Sequence, residues 1–170
     1  GLKSLGHLRR LRELSLLQTR VTDAGLKELA PFQELWKLSL ASTAITDAGM
    51  KDVAKLHSLT ELDLNWTRVG DAGLVELVAL PRLRSLHLSD APVTDAGIQH
   101  LIRIKSLVSL HLKGTAVTDA GVKQFEAIAN DIWDLVLECG GALSGEHGDG
   151  LVRGPFMEKM FGSTLYSAFR

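Results

Sequence analysis

A chain of 170 residues, 45% hydrophobic and 23% charged, has the composition of an ordered globular protein and is long enough for one or two domains. Nineteen basic residues against twenty acidic ones leave a net charge of -1, which excludes an overall field drawing the protein to nucleic acid or to an anionic membrane. Cys139 is the only cysteine, which rules out an internal disulfide framework and a multi-cysteine zinc site and fits a reducing, cytoplasmic setting.

The first element is a fragment: Gly1-Leu2-Lys3-Ser4-Leu5 aligns, 24 residues earlier, with Gly25-Leu26-Lys27-Glu28-Leu29. The chain therefore opens halfway through a repeat, and a longer parent with further repeats is expected. Next comes L-x-x-L-x-L, at Leu11, Leu14, Leu16, and again from Leu35, Leu59, Leu83 and Leu107. Its L-x-L half alternates as a short strand does, with leucines on one face and residues such as Ser15, Ser39 and Asp63 on the other. After each strand the string [VI]-[TG]-D-A-G begins, at Val21, Ile45, Val69, Val93 and Val117, an unbroken spacing of 24. Thr22, Thr46, Thr94 and Thr118 are N-cap residues, Gly70 replaces threonine once, and the following aspartate suits the positive end of a helix. Pro31 and Pro81 close the helical segments. No apolar run approaches the roughly 18 residues of a membrane span, so no membrane is expected as a partner.

Period and pattern resemble the leucine-rich repeat family over residues 1–123. One unit cannot cover its own apolar face, so neighbours stack in parallel and share a core. The expected fold is an α/β solenoid of 24-residue repeats, with parallel strands on the concave side and short helices on the convex side. Five strands about 4.8 Å apart give a concave face roughly 20 Å long.

Outward strand positions then form ladders across that face: Glu13, Lys37, Glu61, Ser85, Ser109; Ser15, Ser39, Asp63, His87, His111; and Leu17, Ala41, Asn65, Ser89, Lys113. Two readings are open. The alternation Glu13, Lys37, Glu61 is what cross-strand charge pairing alone would produce. The cluster of Glu61, Asp63, Asn65 and Trp66 beside His87 and Asp90 is what a protein-binding face would carry, with an exposed tryptophan as hot spot. Trp66 either anchors a partner or packs on the rim as Trp36 is expected to do. His87 and His111 are two neighbouring imidazoles, too few for a metal site, and His7, His57 and His100 read as surface residues.

From Phe125 the apolar positions Phe125, Ile128, Ala129, Ile132, Leu135, Val136 and Cys139 have helical spacing, and Gly140-Gly141 ends that expected helix. No sixth L-x-x-L-x-L follows, so residues 124–170 read as a separate small α/β tail. Its helix is expected to cover the open end of the repeats. Then come a short extended piece, a glycine-rich loop and two short helical candidates. The stretch "DLVLECGGALSGEHGDGLVRGPFMEKMFGSTLYSAFR", through S-G-E-H-G-x-G, a following arginine and P-F, resembles the C-terminal end of the FAD-linked oxidases that act on glycolate, D-lactate and D-2-hydroxyglutarate.

That resemblance implies that Gly145, Glu146, His147 and Gly148 meet the flavin and the 2-hydroxy acid. It implies His147 as the catalytic base that takes the hydroxyl proton, and Glu146 as a ligand of a divalent metal. The family also needs an FAD-binding domain and further metal-ligand histidines upstream, and here leucine repeats stand in their place. The expectation is a non-catalytic protein-interaction module with a catalytically silent tail, carrying no cofactor by itself. The alternative is a fragment of an FAD-linked 2-hydroxy acid dehydrogenase whose FAD domain comes from elsewhere.

Overall fold

The computed structural model describes residues 2–129 and the strand Val136–Glu138. Each repeat builds one three-residue strand and one helix. The strands are β1 (Glu13–Ser15), β2 (Lys37–Ser39), β3 (Glu61–Asp63), β4 (Ser85–His87), β5 (Ser109–His111) and β6 (Val136–Glu138). The helices are α1 (Asp23–Leu26), α2 (Asp47–Val53), α3 (Asp71–Leu77), α4 (Asp95–Leu101) and α5 (Asp119–Ala129). The strands pair in parallel, in chain order, as one sheet.

The 24-residue period sets the register. Leu14 faces Leu38, Leu38 faces Leu62, Leu62 faces Leu86 and Leu86 faces Leu110, so each leucine column continues inward from strand to strand. Leu38, Leu62, Leu86 and Leu110 are buried, and so are Leu40, Leu64, Leu88 and Leu112 of the next column. The helices close the other side with Leu26, Met50, Leu74, Ile98 and Val122. This is the continuous core that a single repeat cannot make.

The motif [VI]-[TG]-D-A-G is the joint between repeats. Asp23 accepts from the Thr46 amide at 2.9 Å and from the Thr46 hydroxyl at 2.7 Å. Asp71 does the same for Thr94, and Asp95 for Thr118. Where Gly70 replaces threonine, Asp47 keeps only the amide bond, at 2.7 Å. Each threonine hydroxyl also accepts from its own helix, Thr46 from Ala48 and Thr94 from Ala96, so the N-cap and the joint are one device. Thr22 is extended like the other caps, but its side chain makes no cap bond.

The glycine is there for the aspartate of the preceding repeat. A Cβ on Gly73 would stand 2.6 Å from Asp47 Oδ1 and 3.0 Å from both Met50 Cγ and Val69 Cγ1. We therefore expect Gly73→Ala to destabilise the protein by about 1–3 kcal/mol through overpacking, outweighing the roughly 1 kcal/mol that alanine gains as a helix former. A chemical denaturation midpoint at or above that of the parent would contradict this packing.

A second column is not apparent from the leucine pattern. Thr43, Thr67 and Thr115 are buried, and each hydroxyl donates to the carbonyl three residues back, Leu40, Leu64 and Leu112, at 2.6, 2.7 and 2.8 Å. These bonds close the turn after each strand and satisfy hydroxyls that burial would otherwise penalise.

The end of the stack departs from expectation. The helix expected from Phe125 to Cys139 is instead α5, which continues the fifth D-A-G motif, followed by β6. β6 pairs with β5, Leu137 facing Leu110, a step of 27 residues where the others are 24. Leu135, Val136 and Leu137 can satisfy strand alternation as well as helix spacing, and the exposed edge of β5 supplies backbone partners that a helix would leave unpaired. Among the described residues the sheet thus has six strands rather than five. The Gly140-Gly141 stop, the glycine-rich loop with Gly145, Glu146, His147 and Gly148, the two short helical candidates, and Ile132 lie outside the described residues.

Candidate protein-interaction face

After each strand the chain turns outward through one residue in the left-handed region. These are Gln18, Ser42, Trp66, Asp90 and Gly114, with φ of 56°, 54°, 52°, 57° and 70°. Glycine and aspartate suit that conformation, and a bulky side chain there is an outlier. Trp66 occupies it, 58% exposed, whereas Trp36 at the edge of β2 is 36% exposed. The Trp66 amide donates to the Ser89 carbonyl at 2.9 Å, which places this turn beside that of Asp90. Asp90 is itself exposed, and its carboxylate lies where a Cβ on Gly114 would be.

The ladders run as the period predicts, and most of their polar groups bond to one another. Lys37 Nζ meets Glu61 Oε1 at 2.7 Å. Ser39 donates to Asp63 Oδ2 at 3.0 Å, and the Asn65 amide donates to Asp63 Oδ1 at 3.1 Å. Asn65 Oδ1 accepts from the Ser89 amide at 2.6 Å, carrying the pattern to the next repeat. His87 and His111 stack with ring centroids 4.1 Å apart and planes 6° apart, and each Nε2 lies within hydrogen-bond reach of a serine hydroxyl, Ser85 or Ser109. In register, β6 adds Glu138 beside His111 as the next rung, a position outside the 24-residue ladders.

The structure therefore brings Glu61, Asp63, Asn65, Trp66, His87 and Asp90 onto one surface across β3, β4 and their turns. Glu61, Asp63 and Asn65 are held by the scaffold, which fixes their positions, while Trp66 is more than half exposed and Asp90 lies over Gly114 of the next turn. Among the described residues no group of three or more histidine, cysteine, aspartate or glutamate side chains is placed to hold a metal ion. Nor, among them, is any helix long and apolar enough to cross a membrane.

The Glu61 carboxylate, by hydrogen bond first and by charge second, holds the Lys37 ammonium above its ordinary pKa. A folded-state pKa above the unfolded one contributes stability that is present below the ordinary lysine value and is lost as pH rises through the folded value. Lys37→Met should thus cost a small margin at neutral pH, and parent and variant should converge in alkaline buffer and in high salt. Denaturation midpoints that differ equally at neutral and alkaline pH would contradict the pairing.

A parallel strand and a short helix recurring every 24 residues, leucines inward and polar ladders outward, define a leucine-rich-repeat solenoid. Comparison with family models agrees: residues 55–78 and 80–101 match the Leucine Rich repeat model. Residues 109–170 match the model of FAD linked oxidases, C-terminal domain. The chain is similar in fold to internalin C2 of Listeria monocytogenes, at 24% identity and a TM-score of 0.65, with 82% of this chain and 56% of that one covered. It is similar also to an internalin F from the same organism, at 20% identity and a TM-score of 0.65, covering 84% of this chain and 38% of that one. The chain thus spans about half or less of the solved structures it resembles. No curated protein matches it.

Proposed function

We propose that the chain is a non-catalytic protein-interaction module, cytoplasmic in setting, whose partner docks on the concave face around Trp66. One observation carries the reading: a tryptophan more than half exposed occupies a left-handed turn where the other repeats place glutamine, serine, aspartate or glycine. The backbone there disfavours a bulky side chain, whereas a rigid exposed aromatic rimmed by positioned polar groups is a common hot spot. Asp63, Asn65 and Asp90 supply the polar rim, with Glu61 and His87 beside it. The test is to recover the partner on the parent chain and titrate it by calorimetry against Trp66→Ala, Asp63→Ala and, on the convex helices, Lys27→Ala. The first two should weaken binding and leave circular dichroism intact. Equal loss from Lys27→Ala would refute the placement.

The match of residues 109–170 favours a second reading, an oxidase fragment, and the described part of that stretch belongs to the repeat stack. Leu110, Val122 and Phe125 are buried in the repeat core, and Ser109 and His111 belong to the concave ladder. On the first reading the tail is silent, with Gly145, Glu146, His147 and Gly148 inherited from the family pattern. Purified protein should show no flavin absorbance, and His147→Ala should change neither fold nor binding. A yellow chain whose flavin is reduced by D-lactate or glycolate in a His147-dependent manner would establish the enzyme instead.

A further inference from the structure

The turns after β3 and β4 set two unlike side chains next to each other. The Trp66 amide donates to the Ser89 carbonyl, and the Asp90 amide to the Lys113 carbonyl at 2.7 Å, so the two turns stand one strand spacing apart, about 5 Å. One presents an indole 58% exposed, the other an exposed carboxylate. The neighbouring acids of this face are already answered. Glu61 is paired with Lys37, and both oxygens of Asp63 accept hydrogen bonds, one from the Asn65 amide and one from the Ser39 hydroxyl. Asp90 is different: among the described residues its carboxylate accepts no hydrogen bond and makes no ion pair, although Lys113 occupies the next rung. Nor, among them, does a lysine or arginine stack on Trp66. The carboxylate lies over Gly114, and the missing side chain of that turn leaves room for it.

We propose that Trp66 and Asp90 together form a receptor for one arginine side chain of the protein partner. The inference deepens the Trp66 interaction face and rests on it. A guanidinium is planar and permanently charged, so it lies on an indole by cation–π attraction while its edge donates two hydrogen bonds to a carboxylate beside the ring. An aromatic and an acid on adjacent rungs answer both demands. An apolar partner side chain on Trp66 would strip water from Asp90 and give it nothing in return, which burial penalises. Nucleic acid or an anionic lipid would bring phosphates against Asp63 and Asp90 and be repelled. Lysine supplies the charge but neither the flat face nor the forked donor.

The test titrates the full chain with acetylated, amidated peptides Gly-Ser-X-Ser-Gly, in which X is arginine, lysine, citrulline or leucine, and follows the amide and indole N–H resonances by NMR. The arginine peptide should shift the Trp66 indole and the Asp90 and Gly114 amides saturably. Lysine should bind about threefold more weakly, and citrulline, which keeps the shape without the charge, about tenfold more weakly, with leucine no better. Asp90→Asn should weaken the arginine peptide about tenfold and remove its advantage over citrulline, while the fold holds because asparagine also tolerates the left-handed turn. Arginine and citrulline behaving alike, whether both shift these resonances or neither does, would overturn the proposal. So would an Asp90→Asn protein that takes arginine as the parent does. If Trp66→Ala still lowers affinity for the recovered partner in that event, the arginine receptor alone falls; if it does not, the interaction face falls with it.

Discussion

Leu64→Ala lowers stability by about 2–5 kcal/mol, the loss expected for a fully buried leucine in the middle of the array. Leu64 is 0% exposed and follows directly on β3, the middle strand of the five repeats, and its amide donates to the His87 carbonyl at 2.9 Å. Leu40 and Leu88 continue its column on either side, so the chain cannot collapse onto the vacated space from an open end. The lost transfer energy and the cavity therefore add, and for a chain of this length the loss corresponds to a fall of roughly 5–15 °C in melting temperature. The same truncation at Leu16, 9% exposed in the first repeat, should cost about half as much, because fewer neighbours lose contact and the surroundings can relax. Equal losses at the two positions would mean that the core is not a stack whose interior depends on both neighbours.

That contrast explains how much of the fold a single period can disclose. Five copies of one motif at a constant spacing determine which columns face inward, so the register Leu14, Leu38, Leu62, Leu86, Leu110 is legible in the sequence alone. The ladders of the concave face are legible for the same reason, including Asp63 beside His87. Contacts between columns are not. The sequence displays threonine, aspartate and glycine in fixed order, but only the stacked backbone reveals that the aspartate of one repeat lies over the glycine of the next.

The tail misleads for a different reason. Phe125, Ile128, Ala129, Ile132, Leu135 and Val136 satisfy a helical period, and the local pattern carries no trace of the free edge of β5 that draws Val136–Glu138 into the sheet. Glu138 is thus hidden as a rung next to His111. Trp66 stands between two readings because strand periodicity stops at Asn65. The left-handed turn at which its ring stands is a property of the backbone, visible in sequence only through Asp90 and Gly114 at the equivalent positions of the fourth and fifth repeats.

The same turn allows the fold and the interaction face to be separated by experiment. Trp66→Ala removes the ring but keeps a Cβ in the left-handed region, so the protein loses the partial packing of the indole and keeps the backbone cost. Trp66→Asn also removes the ring, yet asparagine tolerates that conformation, which returns up to about 1 kcal/mol and offsets much of the packing loss. The asparagine variant should therefore melt close to the parent and above the alanine variant by a few degrees. Partner binding should follow the ring alone. Both variants should lose about 2 kcal/mol or more of affinity, on the order of 30-fold, because an aromatic hot spot acts through its contact area rather than through the stability of the turn beneath it. If instead the asparagine variant binds as the parent does, Trp66 is a tolerated oddity of the third repeat, and the interaction face must be sought elsewhere on the ladders.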